Sequence, residues 1–194
     1  MSGRIENLKK SFGAKVLFDG LSHRFSKGRI YALIGNSGTG KTTLLRMISG
    51  LDTSYDGEID GFGTVSYSFQ EYRLFENLNA LQNVYELAFP KKTERALEES
   101  RKALLSLGFS EDELTLLPRE LSGGMKQRVS LCRSLLYSAD TYLFDEPFKE
   151  LDSTLIGILK QELLSLASEH TVILSVHSQD ECMGLPAEFI KIGE

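Results

Sequence analysis

The sequence predicts a mixed α/β fold built on a largely parallel sheet. Short apolar, β-branched stretches alternate with longer segments whose apolar residues have helical spacing, a pattern typical of strands joined through helices. A glycine-rich loop separates one of these strands from the helix that follows it. The expected strands are residues 30–34, 64–69, 141–144, 171–176 and 188–192, and the expected helices are residues 41–48, 126–136 and 154–167.

Two segments depart from this alternation. Residues 5–25 alternate apolar and polar side chains, which predicts a small antiparallel β subdomain near the N-terminus. Residues 79–88 and 93–107 both have helical spacing with no strand between them, so that about 78–121 is expected to be an inserted α-helical subdomain. Because no low-complexity linker is visible, residues 1–194 are expected to form a single domain.

Composition and charge disfavour some classes of protein. The net charge of -5 disfavours a polyanion-binding surface, so no nucleic-acid partner is expected. The polar N-terminus does not resemble an export signal, and no apolar run is long enough to span a membrane, so any membrane role is expected to come through a partner. Cys132 and Cys182 lie far apart and outside any metal-ligand spacing, which indicates reduced thiols in a cytosolic protein.

The glycine-rich loop has the G-x-x-x-x-G-K-[S/T] spacing of a P-loop, and its position between a strand and a helix is the one this motif requires. Its residues are Gly35, Asn36, Ser37, Gly38, Thr39, Gly40, Lys41, Thr42 and Thr43. Glycines let backbone N–H groups wrap closely around phosphates, Lys41 is expected to reach the β and γ phosphates, and Thr42 to ligate Mg²⁺. A chance glycine-rich turn is the alternative interpretation. The motif predicts that the chain binds Mg-ATP.

Two acids follow the strand at 141–144. Asp145 is expected at the carboxyl edge of the sheet, beside the P-loop helix, as a ligand in the outer coordination shell of Mg²⁺. Glu146 should point to the other face, because consecutive strand residues alternate, and is expected to orient or deprotonate the attacking water. A solvated turn is the alternative.

A second helix start has the residue types of an anion site. Ser122 stands at a capping position before Gly123 and Gly124. Because one P-loop already serves one nucleotide, these N–H groups have no evident ligand within one subunit. An ordinary helix cap explains the same residues equally well.

These segments together resemble the ATP-binding cassette (ABC) family of ATPases. Residues 121–127 look like the family's signature motif, residues 35–43 like its Walker A and residues 142–146 like its Walker B, and the resemblance covers nearly the whole chain. It implies a P-loop NTPase core and a head-to-tail dimer, in which the Ser122 helix start of one subunit closes on the γ-phosphate held by the other.

Four weaker markers follow in order. Gln70 resembles the Q-loop, with an implied contact to Mg²⁺ or water, and Asp152 resembles the D-loop, although it could simply cap the next helix. His177 resembles the H-loop, implying a hydrogen bond to the γ-phosphate, whereas a lone histidine at a strand end is often an ordinary surface residue. Phe12 stands where the family often stacks an aromatic ring on adenine, and a core or surface Phe is the alternative.

The resemblance implies a catalytic ATPase subunit of a membrane transporter, with ATP and Mg²⁺ as its cofactors. Residues 70–84 are similar to the segment with which importer-type subunits of the family contact their permease. Within the family, the chain looks most like the subunits of nitrate, sulfonate or taurine importers. The expected partners are a second copy, an integral membrane permease and a substrate-binding protein, with the chain peripheral on the cytoplasmic face of the cell membrane.

The sequence departs from the common family pattern at two places. Lys149 and Glu150 replace the Ser-Ala that commonly precedes the Leu-Asp of the D-loop, and few residues follow His177, so a regulatory C-terminal appendage is not expected. The alternative function is a soluble ABC ATPase in nucleic-acid or assembly processes without a membrane partner. The single cassette and the negative charge disfavour it.

Overall fold

The computed structural model describes residues 3–193. By its internal contacts the chain divides into two compact units. The first, the sheet unit, comprises residues 3–67, 139–147 and 163–193, and the second, the helical unit, comprises residues 68–138 and 148–162.

Eight strands and five α-helices are found in the part of the chain that the structure describes. The strands are β1 (Gly3–Phe12), β2 (Lys15–Phe25), β3 (Arg29–Ile34), β4 (Asp56–Asp60), β5 (Val65–Ser68), β6 (Thr141–Asp145), β7 (Thr171–Val176) and β8 (Ala187–Lys191). The helices are α1 (Lys41–Ile48), α2 (Ala80–Ala88), α3 (Glu94–Ser106), α4 (Gly123–Leu136) and α5 (Ser153–Ala167), with short 3-10 turns at Asp112–Thr115, Pro118–Glu120 and Gln179–Cys182.

Five strands form the predicted sheet in the order β5-β6-β7-β3-β8. The pairs β3 with β7, β3 with β8, and β6 with β7 are parallel. All residues of β6 and β7 are buried, which explains their continuous apolar sequences. Because the strands are parallel, the carboxyl ends of β3, β6 and β7 meet at one edge, and the P-loop and the two acids follow directly from that edge.

A separate three-stranded sheet has the order β2-β1-β4, with both pairings antiparallel. The β1–β2 hairpin confirms the antiparallel subdomain that the sequence predicts. The third strand, β4, was missed because its sequence, Asp-Gly-Glu-Ile-Asp, has a single apolar residue. It is an exposed edge strand, and its pairing with β1 includes a double contact of Arg4 with Asp60, at 2.7 and 2.9 Å.

A cluster of aromatic rings packs within the largely aliphatic core of the sheet unit. The Phe25 ring meets Tyr31 edge to face at a centroid distance of 4.9 Å and lies 5.4 Å from Phe62. His23 packs edge to face on Phe25 at 4.8 Å, and its Nε2 lies 3.6 Å from a carboxylate oxygen of Glu188. Burial lowers the pKa of His23, and the Glu188 carboxylate opposes that shift. The neutral form of His23 is therefore favoured by its burial.

In the helical unit, α2, α3 and α4 pack on one another. Each is preceded by a capping residue whose side chain accepts a hydrogen bond from a backbone N–H of the first turn. These residues are Asn79, Thr93 and Ser122. The buried Asn83 fixes the turn before α2: its Nδ2 donates to the carbonyls of Phe75 and Leu78, at 3.1 and 2.7 Å, and its Oδ1 accepts from the Phe75 N–H at 2.8 Å. The predicted inserted helical subdomain is present in this unit.

Both cysteines are free and buried, Cys132 in α4 and Cys182 in the 3-10 turn after β7. Burial raises the pKa of the Cys132 thiol. Of the helices within residues 3–193, none combines the length and the apolar character that crossing a bilayer would take.

Candidate functional site

The conformation of the P-loop depends on its glycines. Gly38 and Gly40 have φ angles of 76° and 110°, in the left-handed region that favours glycine. A Cβ on Gly35 would collide with the carbonyl oxygen of Ile192, so a larger residue would displace the loop or the chain end. The loop leads directly into α1, and the N–H groups at the start of a helix are suited to binding an anion.

Lys41 lies in this loop rather than in solvent. Its side chain is only 6% exposed, and its Nζ donates to the carbonyls of Gly35 and Asn36, at 2.6 and 3.2 Å. The charge is therefore positioned inside the curve of the loop, where phosphate oxygens would approach. Thr42 and Thr43 follow in the first turn of α1, both half-buried.

A second lysine contacts the loop from the antiparallel sheet. Lys15 at the start of β2 donates from Nζ to the Gly38 carbonyl at 2.8 Å. Sequence reasoning did not single out Lys15. Phe12, at the end of β1, is 56% exposed, with Lys10 Nζ 4.9 Å from its ring centroid. An exposed ring at this hairpin fits a stacking role, and that role stays a prediction.

Asp145 is held rigidly at the end of β6. It is only 2% exposed, and Ser175, its register partner on β7, donates from Oγ to its Oδ1 at 2.5 Å. The Tyr67 hydroxyl donates to Oδ2 at 3.3 Å. Both carboxylate oxygens thus have fixed donors, and neither Ser175 nor Tyr67 was identified from the sequence.

Glu146 leaves the strand through a left-handed turn. Its φ is 53°, and its N–H donates to the Ser175 hydroxyl at 2.9 Å. The expected separation of Asp145 from Glu146 therefore arises from this turn and not from strand alternation, which ends at Asp145. A non-glycine residue in this conformation is uncommon and is concentrated at functional sites.

His177 meets Glu146 directly. The distance from His177 Nε2 to Glu146 Oε1 is 3.0 Å, with side chains 48% and 14% exposed. The His177 N–H donates to Glu181 Oε1 at 2.9 Å, which fixes the backbone where the chain leaves β7. The structure thus brings together two residues that lie 31 positions apart in the sequence. A carboxylate oriented by an imidazole is a suitable general base.

The donor set suits a magnesium ion. Thr42 and Asp145 supply the hydroxyl and carboxylate oxygens that Mg²⁺ prefers, with α1 packed on β6. Within residues 3–193 no three His, Cys, Asp or Glu side chains cluster as a metal site. Such a cluster is not needed, because Mg²⁺ in nucleotide sites keeps waters and phosphate oxygens among its ligands.

The remaining predicted residues belong to the helical unit. Gln70 follows β5 and is exposed. Ser122 caps α4 by accepting the Met125 N–H at 3.3 Å. Asp152 caps α5, because its Oδ1 accepts the Leu155 N–H at 2.9 Å. Ser122 and Asp152 therefore both cap helices, as the alternative interpretations proposed, and their roles toward ATP stay predictions.

Glu150 is a neighbour of the Ser122 helix start that the sequence could not reveal. Its Oε2 lies 2.6 Å from where a Cβ on Gly123 would stand, and its carbonyl oxygen 3.1 Å from the equivalent point on Gly124. The Tyr72 hydroxyl donates to the same Oε2 at 2.7 Å. The two glycines therefore allow a close approach within the subunit.

Comparison with known proteins agrees with the fold and the motifs. The family described as ABC transporter matches residues 18–149. An aliphatic sulfonates import ATP-binding protein from Mesorhizobium japonicum is 40% identical, over 94% of this chain and 73% of that protein. A sulfate/thiosulfate import ATP-binding protein from Acinetobacter baylyi is 35% identical, over 98% of this chain but only 59% of the relative, so the chain spans less than two thirds of that protein.

Solved structures share the fold at lower identity. A structure of an ATP-binding subunit of an ABC transporter has a TM-score of 0.86 at 24% identity, covering 100% of this chain and 86% of the other. A dimeric ATP-binding cassette in a post-hydrolysis state with ADP and Pi has a TM-score of 0.83 at 21% identity, covering 99% and 97%. The predicted fold class is confirmed, as is the family resemblance. On its motifs and its similarity to these proteins, the chain belongs to the ABC transporter family.

Proposed function

We propose that this chain, an ATPase of the ABC transporter family, powers a membrane importer by closing head to tail with a second copy when ATP binds. The observation that carries the proposal is the pairing of Glu146 with His177 at 3.0 Å in the same unit as a complete P-loop. That pairing supplies a base at the carboxyl edge of the sheet, where the P-loop holds phosphates.

Each residue has a part in this proposal. Lys41 and the loop N–H groups bind the phosphates, and Glu146 accepts a proton from the attacking water while His177 holds its carboxylate in position. When bound, Mg²⁺ neutralises charge on the transferred phosphoryl group, with Thr42 and Asp145 as its protein ligands. Gln70 is assigned the contact to the metal or the water that its resemblance to the Q-loop implies.

The Ser122–Gly124 helix start completes the site from the other subunit. Its N–H groups and helix dipole are suited to binding the γ-phosphate. They would stabilise the negative charge of that phosphate while its bond to the β-phosphate breaks. Asp152 takes part in the same interface. One of the structural neighbours is a dimeric ATP-binding cassette with ADP and Pi, which supports this arrangement.

The permease is proposed to dock on residues 70–84, where the Phe75 ring is 51% exposed and Asn83 fixes the turn beneath it. This interaction would hold the chain at the cytoplasmic face of the membrane. The similar proteins are named for import of sulfonates, of sulfate or thiosulfate, and for transport of bicarbonate. One cassette type serving different anions fits cargo selection by the permease and a substrate-binding protein.

The test is Glu146→Gln, compared with Glu169→Gln, an exposed glutamate of the same unit. Loss of the base should lower turnover about a hundredfold or more while ATP binding persists. The variant should form an ATP-dependent dimer, measured by sedimentation, and should co-purify with a multi-span membrane protein. Wild-type turnover in Glu146→Gln would remove Glu146 from the role. A strictly monomeric ATP-loaded variant, with the permease supplied, would refute the dimer.

A further inference from the structure

The Glu150 carboxylate lies beside the start of α4, the helix start that a phosphate of the partner's ATP would approach in the proposed dimer. The Oε2 atom is 2.6 Å from the Cβ position of Gly123, in the first turn of α4. A carboxylate at a helix start is attracted by the same partial positive charge that would attract the γ-phosphate. A phosphate that approached this helix start would therefore be repelled by the carboxylate beside it.

The carboxylate is held in place by a short chain of contacts. Tyr72 donates to it at 2.7 Å, and burial, followed by Glu150 itself, raises the pKa of Tyr72 to about 12, so the phenol stays a donor. Arg133 of α4 in turn donates to the carbonyls of Tyr72 and Arg73, at 3.2 and 3.0 Å. The segment after Gln70 therefore contacts α4 near both of its ends, through Glu150 at the start of the helix and through Arg133 near its last turn.

Backbone strain coincides with these contacts. Glu150 has a φ of 59° and Arg73 a φ of 47°, which are uncommon for residues other than glycine. Strain of this kind persists only where surrounding contacts impose it, and it concentrates at switching segments. Tyr72 contacts Glu150 and Arg133 contacts Arg73, so each of the two strained residues takes part in one of these contacts.

We infer that Glu150, anchored by Tyr72, is a resident anion that guards the start of α4 and must be displaced before the ATP held by a partner subunit can reach Ser122–Gly124. The inference rests on the proposed head-to-tail dimer. It adds a regulation: the guard keeps basal ATPase activity low. Because Tyr72 belongs to the segment proposed to receive the permease, docking there is the event that releases the carboxylate.

The experiment measures the ATP concentration that half-dimerises the Glu146→Gln chain, by sedimentation at fixed protein concentration. Glu150→Gln keeps the shape and removes the charge, Glu150→Ala removes both, and Tyr72→Phe removes only the anchor. Glu94→Gln is the matched control, because Glu94 is likewise an exposed glutamate beside a helix start, in the first turn of α3, a helix to which the proposal assigns no role.

Removing the Glu150 charge should lower the ATP requirement about tenfold, since a dimer contains two guarded sites. Tyr72→Phe should give a smaller decrease, and Glu94→Gln should stay within about twofold of the parent. In the Glu146-intact chain, Glu150→Gln should raise basal turnover and reduce the stimulation by permease.

An unchanged or higher ATP requirement in both Glu150 variants overturns the inference, because a carboxylate that merely stabilises α4 would weaken the dimer when removed. If Glu150→Ala does not fold, the isosteric Glu150→Gln decides alone. If the parent dimerises and its Glu150 variants need the same ATP concentration, only the inferred role of Glu150 is overturned. A parent that never dimerises overturns the proposed function and the guard with it.

Discussion

Ser175→Ala is expected to damage both the stability and the chemistry of the sheet unit. The Ser175 hydroxyl is fully buried, donates to Asp145 at 2.5 Å and accepts the Glu146 N–H at 2.9 Å. A hydrogen bond to a charged group contributes about 1.5–3 kcal/mol net and an ordinary one about 0.5–1.5 kcal/mol. Together they predict a loss of about 2–4 kcal/mol in the free energy of unfolding.

The assay is urea unfolding with and without Mg-ATP, alongside steady-state turnover. Turnover should fall at least about tenfold, because the backbone of Glu146, the proposed base, loses the hydrogen bond that positions it. Ser168→Ala is the control: the Ser168 hydroxyl is exposed, so its removal should cost under about 0.5 kcal/mol. If Ser175→Ala unfolds at the same urea concentration as the control, the two hydrogen bonds do not hold these acids in place.

Three further results are expected. Lys15→Ala should raise the KM for ATP about two- to fivefold with kcat unchanged, because one exposed charged contact to the P-loop is lost; an unchanged KM would mean that this contact does not shape the loop. Asn83→Ala should lower the free energy of unfolding by about 3 kcal/mol, measured by denaturant titration, and abolish permease capture, whereas a loss below about 1 kcal/mol would contradict its anchoring role. Burial lowers the pKa of His23 in the folded chain, so the unfolded chain binds protons more readily and stability should fall as pH drops below about 6.5. His23→Gln should reduce this loss of stability at low pH, measured in thermal melts, and an unchanged pH profile would exclude His23 as its source.

Local sequence signals predicted most of the secondary structure. Helix α1 has the expected bounds, because Gly40 marks its start and the apolar residues recur at helical spacing. The strand at 171–176 was likewise predicted, because a continuous apolar, β-branched run is typical of a strand that is buried on both faces. Strand β4 was not, because an edge strand needs few apolar residues and Asp56–Asp60 has one.

The motifs indicated which residues to examine but not how they are held. The Ser175–Asp145 bond depends on the register of two strands whose residues lie 30 positions apart, and no local pattern records register between parallel strands. Glu150 was noticed as a departure from the family pattern, yet its position at the start of α4 follows only from the tertiary fold. Sequence therefore gives the candidates, and packing gives their partners.

The burial of both cysteines makes the chain well suited to probe attachment. Cys132 and Cys182 are 0% and 2% exposed, and the raised pKa of Cys132 lowers its thiolate fraction further. A cysteine introduced at Asp19, whose side chain is 79% exposed, would react with a maleimide while the native thiols stay protected. Fluorescent or spin labels can therefore test for the proposed dimer without first removing the two buried cysteines.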